Sequence, residues 1–238
     1  MSNRYEIPNS ATKYILFQRT GHQTFTKTLL YRGFRKLIPS FNYNCIVELE
    51  AKLRNKKVKW MYLIDMEREY SSIKKFLPDN CSRILDVGCG VAGIDLFLNQ
   101  HYLNREIEFY LLDKTQIEEN VYYMYEEKGA FYNSLGIARE ILVNNGIDIN
   151  KVHLIEATEN NSIEIEKGVD LVISLISWGF HYPVSIYLEK VYDLLNGDGT
   201  LILDVRKNTD GLNLLSQRFG GYRVIIERGK YIRVCATK

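Results

Sequence analysis

Hydrophobic and polar positions follow two alternating periods along the last two-thirds of the chain. From Arg83 onward, short apolar runs typical of buried strands alternate with segments whose apolar residues recur at helical spacing. The strand-like runs are residues 84–87, "IEFYLLD" ending at Asp113, "KVHLIEA", "VDLVISL" and "TLILDV". The helix-like segments begin after Gly93, span residues 138–147, run from Pro183 to about Leu195 with a stop at Asn196 and Gly197, and include "DGLNLLSQRF". This order predicts an α/β fold with a mainly parallel, doubly wound sheet.

The chain closes with a different pattern, "YRVIIERGKYIRVCATK". Two β-rich runs are separated by a tight turn near Arg228 and Gly229. Parallel neighbours need a long crossover, so two strands joined this tightly must be antiparallel.

The first 80 residues are predicted to be helical and to serve as a cap. Four apolar side chains recur at helical spacing within a basic segment, and residues 45–77 form a long periodic stretch that Pro78 ends. The four apolar side chains are Leu29, Leu30, Phe34 and Leu37. Such a segment is too small for a large core of its own. We therefore expect residues 1–80 to cover a sheet edge and a ligand crevice of the main domain, residues 81–238.

The connection between Asp113 and the helix at Ala138 is longer than usual and rich in aromatic residues. These are Tyr122, Tyr123, Tyr125, Phe131 and Tyr132. They predict an ordered insertion at about residues 116–134, and a lid is one interpretation.

The distribution of charge changes the picture more than its total. The chain has 238 residues, a net charge of +2, 46% hydrophobic and 25% charged residues, as in ordinary soluble globular proteins. Residues 1–80 contain 15 Lys and Arg against 7 Asp and Glu, whereas the remainder contains 16 against 22. A basic front segment favours an anionic substrate or nucleic acid, and a solvated helix face is the simpler interpretation.

Cysteine spacing and hydropathy indicate the compartment. The four cysteines show no zinc-ligand spacing and no disulfide framework. The polar start "MSNRYEIPNS" and the lack of about 18 consecutive apolar residues predict a cytoplasmic protein with no membrane partner.

The stretch "ILDVGCGVAGIDLFL" carries the strongest chemical signal. Gly88, Gly90 and Gly93 stand between a strand and a helix, where glycine lets the backbone turn sharply and approach a ligand at the carboxyl end of the strands. Asp113 follows Gly93 by 20 residues, and its carboxylate can accept hydrogen bonds from two ribose hydroxyls. The same pattern fits a dinucleotide-binding turn, so a nicotinamide-dependent oxidoreductase stays open here.

With Asp86, "HLIEAT" and "VDLVISLISWGFHYP", this stretch resembles the ordered motifs of the class I S-adenosylmethionine-dependent methyltransferases, over about residues 83–238. The resemblance implies a Rossmann-like, seven-stranded sheet with one antiparallel strand near the C-terminus. It also implies S-adenosylmethionine as cofactor and S-adenosylhomocysteine as product. Asp86 would help to hold the methionine end of the cofactor, and Glu156 the adenine side. The implied cofactor-binding residues are Asp86, Gly88, Gly90, Gly93, Asp113, Lys114, Glu156, Ala157 and Ser174.

The acceptor side has fewer signals. In "SWGFHYP", His181 is the candidate general base, and Trp178 and Tyr182 could face adenosine or the sulfonium. Arg19 and His22 could reach the crevice from the front segment. Simple packing is the alternative for His181, a core position is the alternative for at least one of Trp178 and Tyr182, and a surface helix or loop is the alternative for His22.

The text "SLISW" stands where methyltransferases of nucleobase amino groups often carry an Asn-Pro-Pro-Tyr-like turn, which counts against base N-methylation. We therefore expect O-methylation of a small acceptor, which the basic front segment would favour as an anion. The layout is similar to that of methyltransferases of bacterial surface polysaccharides, which implies a sugar, a sugar nucleotide or a phosphate-type group. An RNA-modifying methyltransferase and a catalytically silent cofactor-binding protein are the remaining alternatives.

Overall fold

The computed structural model describes residues 5–27, 43–103, 105–117 and 132–238. Its helices are α1 (Ala11–Gln18), α2 (Tyr43–Ile73), α3 (Gly93–His101), α4 (Leu135–Asn144), α5 (Leu188–Leu194) and α6 (Gly211–Phe219). Its strands are β1 (Arg83–Val87), β2 (Glu108–Asp113), β3 (Gln116–Ile117), β4 (Tyr132–Asn133), β5 (Val152–Glu156), β6 (Val169–Ser174), β7 (Ser177–Tyr182), β8 (Leu195–Arg206), β9 (Arg223–Glu227) and β10 (Tyr231–Thr237). None of the helices in these ranges is long and apolar enough to cross a membrane.

Seven strands form one sheet in the order β5-β2-β1-β6-β8-β10-β9. The pairs from β5 to β8 are parallel, and β10 runs antiparallel to both β8 and β9. Since β9 and β10 are joined by a tight turn, this pairing confirms the predicted closing hairpin. The Rossmann-like sheet with one antiparallel strand near the C-terminus is therefore confirmed.

Alternate residues of the central strands pack on opposite faces of the sheet. Ile84 joins the core beneath α1 to α4, whereas Leu85 and Val87 join the core beneath α5 and α6. Side chains of a strand alternate with a period of two, so Asp86 points to the same face as Ile84. This places a carboxyl group on the side of the sheet that the N-terminal helices cover.

Helix α2 spans much of that face and ties the N-terminal region to the sheet. It includes most of the predicted residues 45–77 and has non-helical backbone angles at Arg54. Glu69 and Ser72 both accept hydrogen bonds from the Arg233 guanidinium of β10, at 2.6 and 2.8 Å. The N-terminal helices are therefore anchored through polar contacts as well as apolar packing.

Several predicted boundaries differ from the structure. Helix α4 begins three residues before Ala138, where the Ser134 hydroxyl accepts the Ile137 amide hydrogen. After Pro183 the chain makes a short 3₁₀ turn, Val184–Ile186, before α5, and Asn196 and Gly197 lie in β8 rather than ending the helix. The segment "SWGFHYP" is extended as β7 and lies beside β8.

Two predicted features lie mainly outside the described residues. The apolar set Leu29, Leu30, Phe34 and Leu37 falls in residues 28–42, and Tyr122, Tyr123, Tyr125 and Phe131 fall in residues 118–131. The insertion is bounded by the short antiparallel pair of β3 and β4.

Candidate functional site

A cavity of about 340 Å³ lies at the carboxyl ends of β1, β2 and β6. The glycine loop and Asp113 form one part of its wall, and residues 175–177 with 180–182 form another. The end of α1 and two side chains of α2, Tyr62 and Met66, line it from the N-terminal region. The volume is within the range of small-molecule sites, and the position is where open α/β sheets bind ligands.

Two of the three glycines are required by backbone angle and by close neighbours. Gly88 has φ +76°, and a Cβ there would lie 1.7 Å from the Ser177 hydroxyl oxygen. Gly90 has φ +56°, and its Cβ would lie 2.7 Å from Oε1 of Gln18. Any larger residue at these positions would fill the floor of the cavity or displace its walls.

The third glycine has a different reason. Gly93 does not adopt a left-handed conformation; its Cβ would lie 2.1 Å from the Tyr62 hydroxyl oxygen, so its lack of a side chain makes room for α2. The left-handed residue before α3 is instead Ala92, at φ 57°. The glycine pattern thus combines a turn for the ligand with a close approach of two helices.

Asp113 holds the glycine loop in place. Its Oδ2 accepts the Gly90 amide hydrogen at 2.8 Å, and its Oδ1 accepts the Lys114 amide hydrogen at 2.7 Å. Burial raises the pKa of this carboxyl group to about 6, against the opposing effect of the two amides. Because a carboxylate offers about four acceptor sites, both oxygens keep capacity for ligand hydroxyls.

Asp86 lines the cavity beside the loop and is buried. Its carboxyl group lies next to that of Asp95, a fully buried residue in the first turn of α3. Burial and the neighbouring Asp95 carboxyl raise the pKa of Asp86 well above its ordinary value. Burial raises the pKa of Asp95 to about 7. The pair therefore retains a proton near neutral pH.

The structure does not bring the other predicted cofactor residues to the cavity wall. Glu156 is exposed and accepts the Thr115 amide hydrogen at 2.6 Å, while the Ala157 amide donates to the Asp113 carbonyl at 2.8 Å. The Ser174 hydroxyl is buried, donates to the Val87 carbonyl at 2.6 Å and accepts the Trp178 amide hydrogen at 3.0 Å. These residues, with Lys114, shape the strand ends around the site.

His181 and Tyr182 line the cavity, whereas Trp178 does not. The Trp178 side chain is fully buried, its indole N–H donates to the Val184 carbonyl at 2.9 Å, and its ring packs against Tyr187. Trp178 therefore occupies the core and does not face the cavity, whereas Ser177 and residues 180–182 of the same strand reach it.

Burial lowers the pKa of His181, and the positive charge of Arg206 lowers it further. Its ring packs edge-on against Phe180, with centroids 4.9 Å apart. The Tyr182 hydroxyl lies 3.2 Å from that of Ser177, and burial raises its pKa. At neutral pH the cavity therefore presents a neutral imidazole and a protonated phenol.

Arg19 and His22, the two residues predicted in the front segment, occupy different positions at the cavity rim. Arg19 lies in the wall, 3.5 Å from Oδ2 of Asp65 and with its guanidinium carbon 5.7 Å from the centre of the Tyr62 ring. His22 lies behind it, with Nε2 2.9 Å from the same Asp65 oxygen, and is not in the wall. Burial lowers the pKa of His22, against the opposing effect of Asp65.

Three site residues were not predicted from the sequence. Gln18 reaches the glycine loop and donates to the Asn133 side-chain carbonyl at 3.3 Å, so it bridges the cavity rim. Tyr62 belongs to the periodic stripe of α2, which the pattern alone marks only as apolar. Asp95 could have been recognised from the sequence, because it is an acidic residue within the otherwise apolar helix start "GIDLFL".

Comparison of the sequence with models of known protein families gave no match, and comparison with curated proteins also gave none.

Comparison with solved structures gave many matches. The fold is similar to that of a precorrin-6y C5,15-methyltransferase from Geobacter metallireducens GS-15, with a TM-score of 0.51 and 16% identity over 72% of this chain and 89% of that chain. A protein assigned as an O-methyltransferase, from Nostoc punctiforme PCC 73102, matches with a TM-score of 0.51 and 14% identity over 96% of this chain and 71% of that chain. The 16S rRNA N2 G1207 methyltransferase of T. thermophilus matches with a TM-score of 0.49 and 14% identity over 74% of this chain, but over only 42% of its own length. At such identities the likeness shows a shared fold.

Proposed function

We propose that this chain, whose fold is that of the class I S-adenosylmethionine-dependent methyltransferases, transfers a methyl group from S-adenosylmethionine to a hydroxyl of a small acceptor. One observation carries the proposal: a single cavity wall brings together the glycine loop, Asp86, Asp113 and His181. These residues come from the ends of separate strands. The glycine loop, Asp86 and Asp113 would bind the cofactor, and His181 would accept the proton of the acceptor hydroxyl.

The cavity suits a cofactor with a cationic end. Gly88 and Gly90 present bare backbone in the cavity wall, and Asp113 has acceptor capacity for ribose hydroxyls. Asp86 and Asp95 form an acidic pair that would attract an ammonium group and repel a pyrophosphate. This contrast favours S-adenosylmethionine over a nicotinamide dinucleotide.

When bound, S-adenosylmethionine supplies a methyl group that its sulfonium already activates. The main task of the chain is then to orient the acceptor and to exclude water, and such positioning can lower a barrier by roughly 7–11 kcal/mol. Phe17, Tyr62, Met66 and Phe180 give the cavity apolar walls for both purposes. Three of these four side chains come from α1 and α2, so the N-terminal helices help to enclose the site.

His181 is the candidate general base. A hydroxyl acceptor must lose its proton as it is methylated, and a neutral imidazole in the wall can accept that proton. The lowered pKa of His181 keeps the ring neutral at physiological pH. A base of this kind typically contributes about 10²–10⁴-fold, so its loss would slow the reaction without abolishing it.

Arg19 favours an acceptor with an anionic group. A guanidinium can bind a phosphate or carboxylate through two parallel hydrogen bonds, and Arg19 is the basic side chain of the described cavity wall. Sugar nucleotides and phosphorylated sugars combine such a group with free hydroxyls. They are the acceptors we propose, as precursors of a surface polysaccharide.

Calorimetric titration with S-adenosylmethionine, S-adenosylhomocysteine and NAD(H) tests the cofactor. We expect micromolar binding of the first two ligands and none of NAD(H); binding of NAD(H) alone would overturn the proposal. Transfer of labelled methyl groups to a panel of sugar nucleotides, phosphorylated sugars and RNA then tests the acceptor. Exposed Lys52, Lys56 and Lys57 on α2 would support RNA as the alternative if binding to RNA fell steeply with salt.

A further inference from the structure

Asp95 is an unusual residue for the first turn of a helix that lies in the core. Its side chain is fully buried, with 0% of its surface exposed. Within the described residues, neither of its carboxyl oxygens has a hydrogen-bond donor in normal geometry, and no Lys, Arg or His forms a salt bridge with it. An isolated buried carboxylate is costly, so something other than a protein donor must satisfy this group.

The partner that the structure provides is a second acid. Asp95 pairs with Asp86, which faces the cavity from the end of β1. Two adjacent buried carboxyls cannot both be ionised without strong repulsion, and they hold a proton between them. The pair therefore has one side in the core and the other side open to a ligand.

The titratable and charged groups around the pair supply little positive charge to balance the two carboxyl groups. Asp113 faces it from β2, and Cys89 from the glycine loop. Tyr62 approaches it from α2, and Arg19, which directly follows α1, lies over the Tyr62 ring. Of these groups only Arg19 is positive, and it already lies 3.5 Å from Asp65. A cation that entered next to Asp86 would meet negative charge that no described basic side chain neutralises.

We propose that Asp86 and Asp95 together form a proton-exchanging site for the α-ammonium group of the ligand, in which the arriving ammonium lowers the proton occupancy of the pair. Asp95 acts as a positioning residue behind Asp86 and takes the negative charge as the proton leaves. At most one proton passes to solvent for each ligand bound, and the positive charge of the ammonium replaces it. The identity of the ligand rests on the proposed function.

A purely structural role would give a different result. An acid in the first turn of a helix stabilises the positive end of the helix dipole, and this effect needs no ligand. Under that interpretation, ligand binding would leave the protonation of Asp95 unchanged. Proton release on binding separates the two roles.

The experiment is calorimetric titration at pH 6.5 in buffers that differ in ionisation enthalpy, with three ligands. We expect S-adenosylmethionine and S-adenosylhomocysteine, which both carry the ammonium, to release protons on binding. 5′-Methylthioadenosine, which lacks the amino acid, should release none. A ligand amine with a pKa of about 7.7–8.0 would take up protons on binding, so its contribution has the opposite sign.

The pH dependence of affinity gives a second measurement. A release of half a proton corresponds to a Kd that falls about threefold for each unit rise in pH. We expect this slope for the two ammonium ligands between pH 6 and 7, and a flat profile for 5′-methylthioadenosine.

Asp95→Asn tests the residue itself, with Glu140→Gln on the exposed face of α4 as the control for loss of one negative charge. We expect Asp95→Asn to bind S-adenosylmethionine with less proton release, since Asp86 alone remains to exchange a proton, and Glu140→Gln to behave as the unmodified chain. Binding without proton release in the unmodified chain would overturn this inference alone. Failure of both ammonium ligands to bind would overturn the proposed function as well.

Discussion

The guanidinium group of Arg233 and the carboxylate of Asp204 form two parallel hydrogen bonds inside the sheet, Nε to Oδ1 at 2.6 Å and Nη2 to Oδ2 at 2.7 Å. The two residues lie opposite each other on the antiparallel strands β10 and β8, and both are buried. Oδ2 of Asp204 also accepts the amide hydrogen of Ile176, a residue of the cavity wall, at 3.0 Å. With Glu69 on the other side, this ion pair connects α2, the sheet and the turn that bounds the cavity.

Breaking this pair should strongly destabilise the chain. Arg233→Met leaves Asp204 buried without its partner, and we expect a loss of about 3–5 kcal/mol in the free energy of unfolding, measured by urea denaturation. The control is Glu106→Gln at the exposed ion pair with Lys151, where we expect a change within about 1 kcal/mol. The double variant Arg233→Met with Asp204→Leu should recover part of the loss; equal stability of Arg233→Met and the unmodified chain would contradict the assigned role.

Asp113→Asn should weaken cofactor binding. The substitution keeps the shape of the side chain but removes charge-assisted hydrogen bonds to ribose hydroxyls, so we expect a loss of about 1.5–3 kcal/mol in binding free energy by calorimetry. Glu108→Gln, at the opposite end of the same strand, is the control and should bind normally. Unchanged affinity in Asp113→Asn would remove Asp113 from the ligand site.

Gly88→Ala should impair both folding and binding. Alanine at φ +76° is strained by roughly 1–2 kcal/mol, and its Cβ would also displace Ser177. Gly146 is a matched control because its φ is +89° but nothing lies within 4 Å of an added Cβ. We expect both variants to melt at lower temperature, and only Gly88→Ala to lose cofactor affinity; equal binding by the two variants would show that the close approach has no role.

His181→Ala should lower kcat by about 10²–10⁴-fold while cofactor affinity stays nearly unchanged. A base must be unprotonated to act, and burial lowers the pKa of His181 below 6.5. The kcat of the unmodified chain should therefore be flat around pH 7 and fall as the pH drops below 6.5. A variant that lost cofactor binding instead would indicate a packing role for the ring.

The acidic pair also predicts how stability depends on pH. The pKa of Asp95 is about 7 in the folded chain, above its ordinary value of 3.8, so the folded state binds more protons than the unfolded state between these values. The contribution of Asp95 to stability is therefore present below pH 3.8 and is lost as the pH rises to about 7. Asp95→Asn should be more stable than the unmodified chain at pH 7.5, by on the order of 1–3 kcal/mol, with a smaller gain at pH 5. Urea denaturation at the two pH values measures this, and a gain that grew toward acid pH would contradict the assigned titration.

Local patterns predicted the fold more fully than the site. The strand at Asp113, the glycine loop and the closing hairpin each depend on a few neighbouring residues, so the sequence contains the information for them. The ends of α4 and α5 were less well predicted, because the Ser134 cap and the 3₁₀ turn after Pro183 compete with helical periodicity. The domain division at residue 80 stays a prediction.

The sequence by itself determined the α/β order and the antiparallel strand, since these depend on periods of two and 3.6 and on short turns, and it contained the acids at the ends of β1 and β2. Only the tertiary structure decided which polar and aromatic side chains meet. It turned Trp178 into the core and Tyr182 toward the cavity, and it brought Tyr62 of α2 against Gly93. It also closed the pair of Asp86 and Asp95. The reason is physical: the face that a side chain occupies is fixed by packing partners that lie far away along the chain.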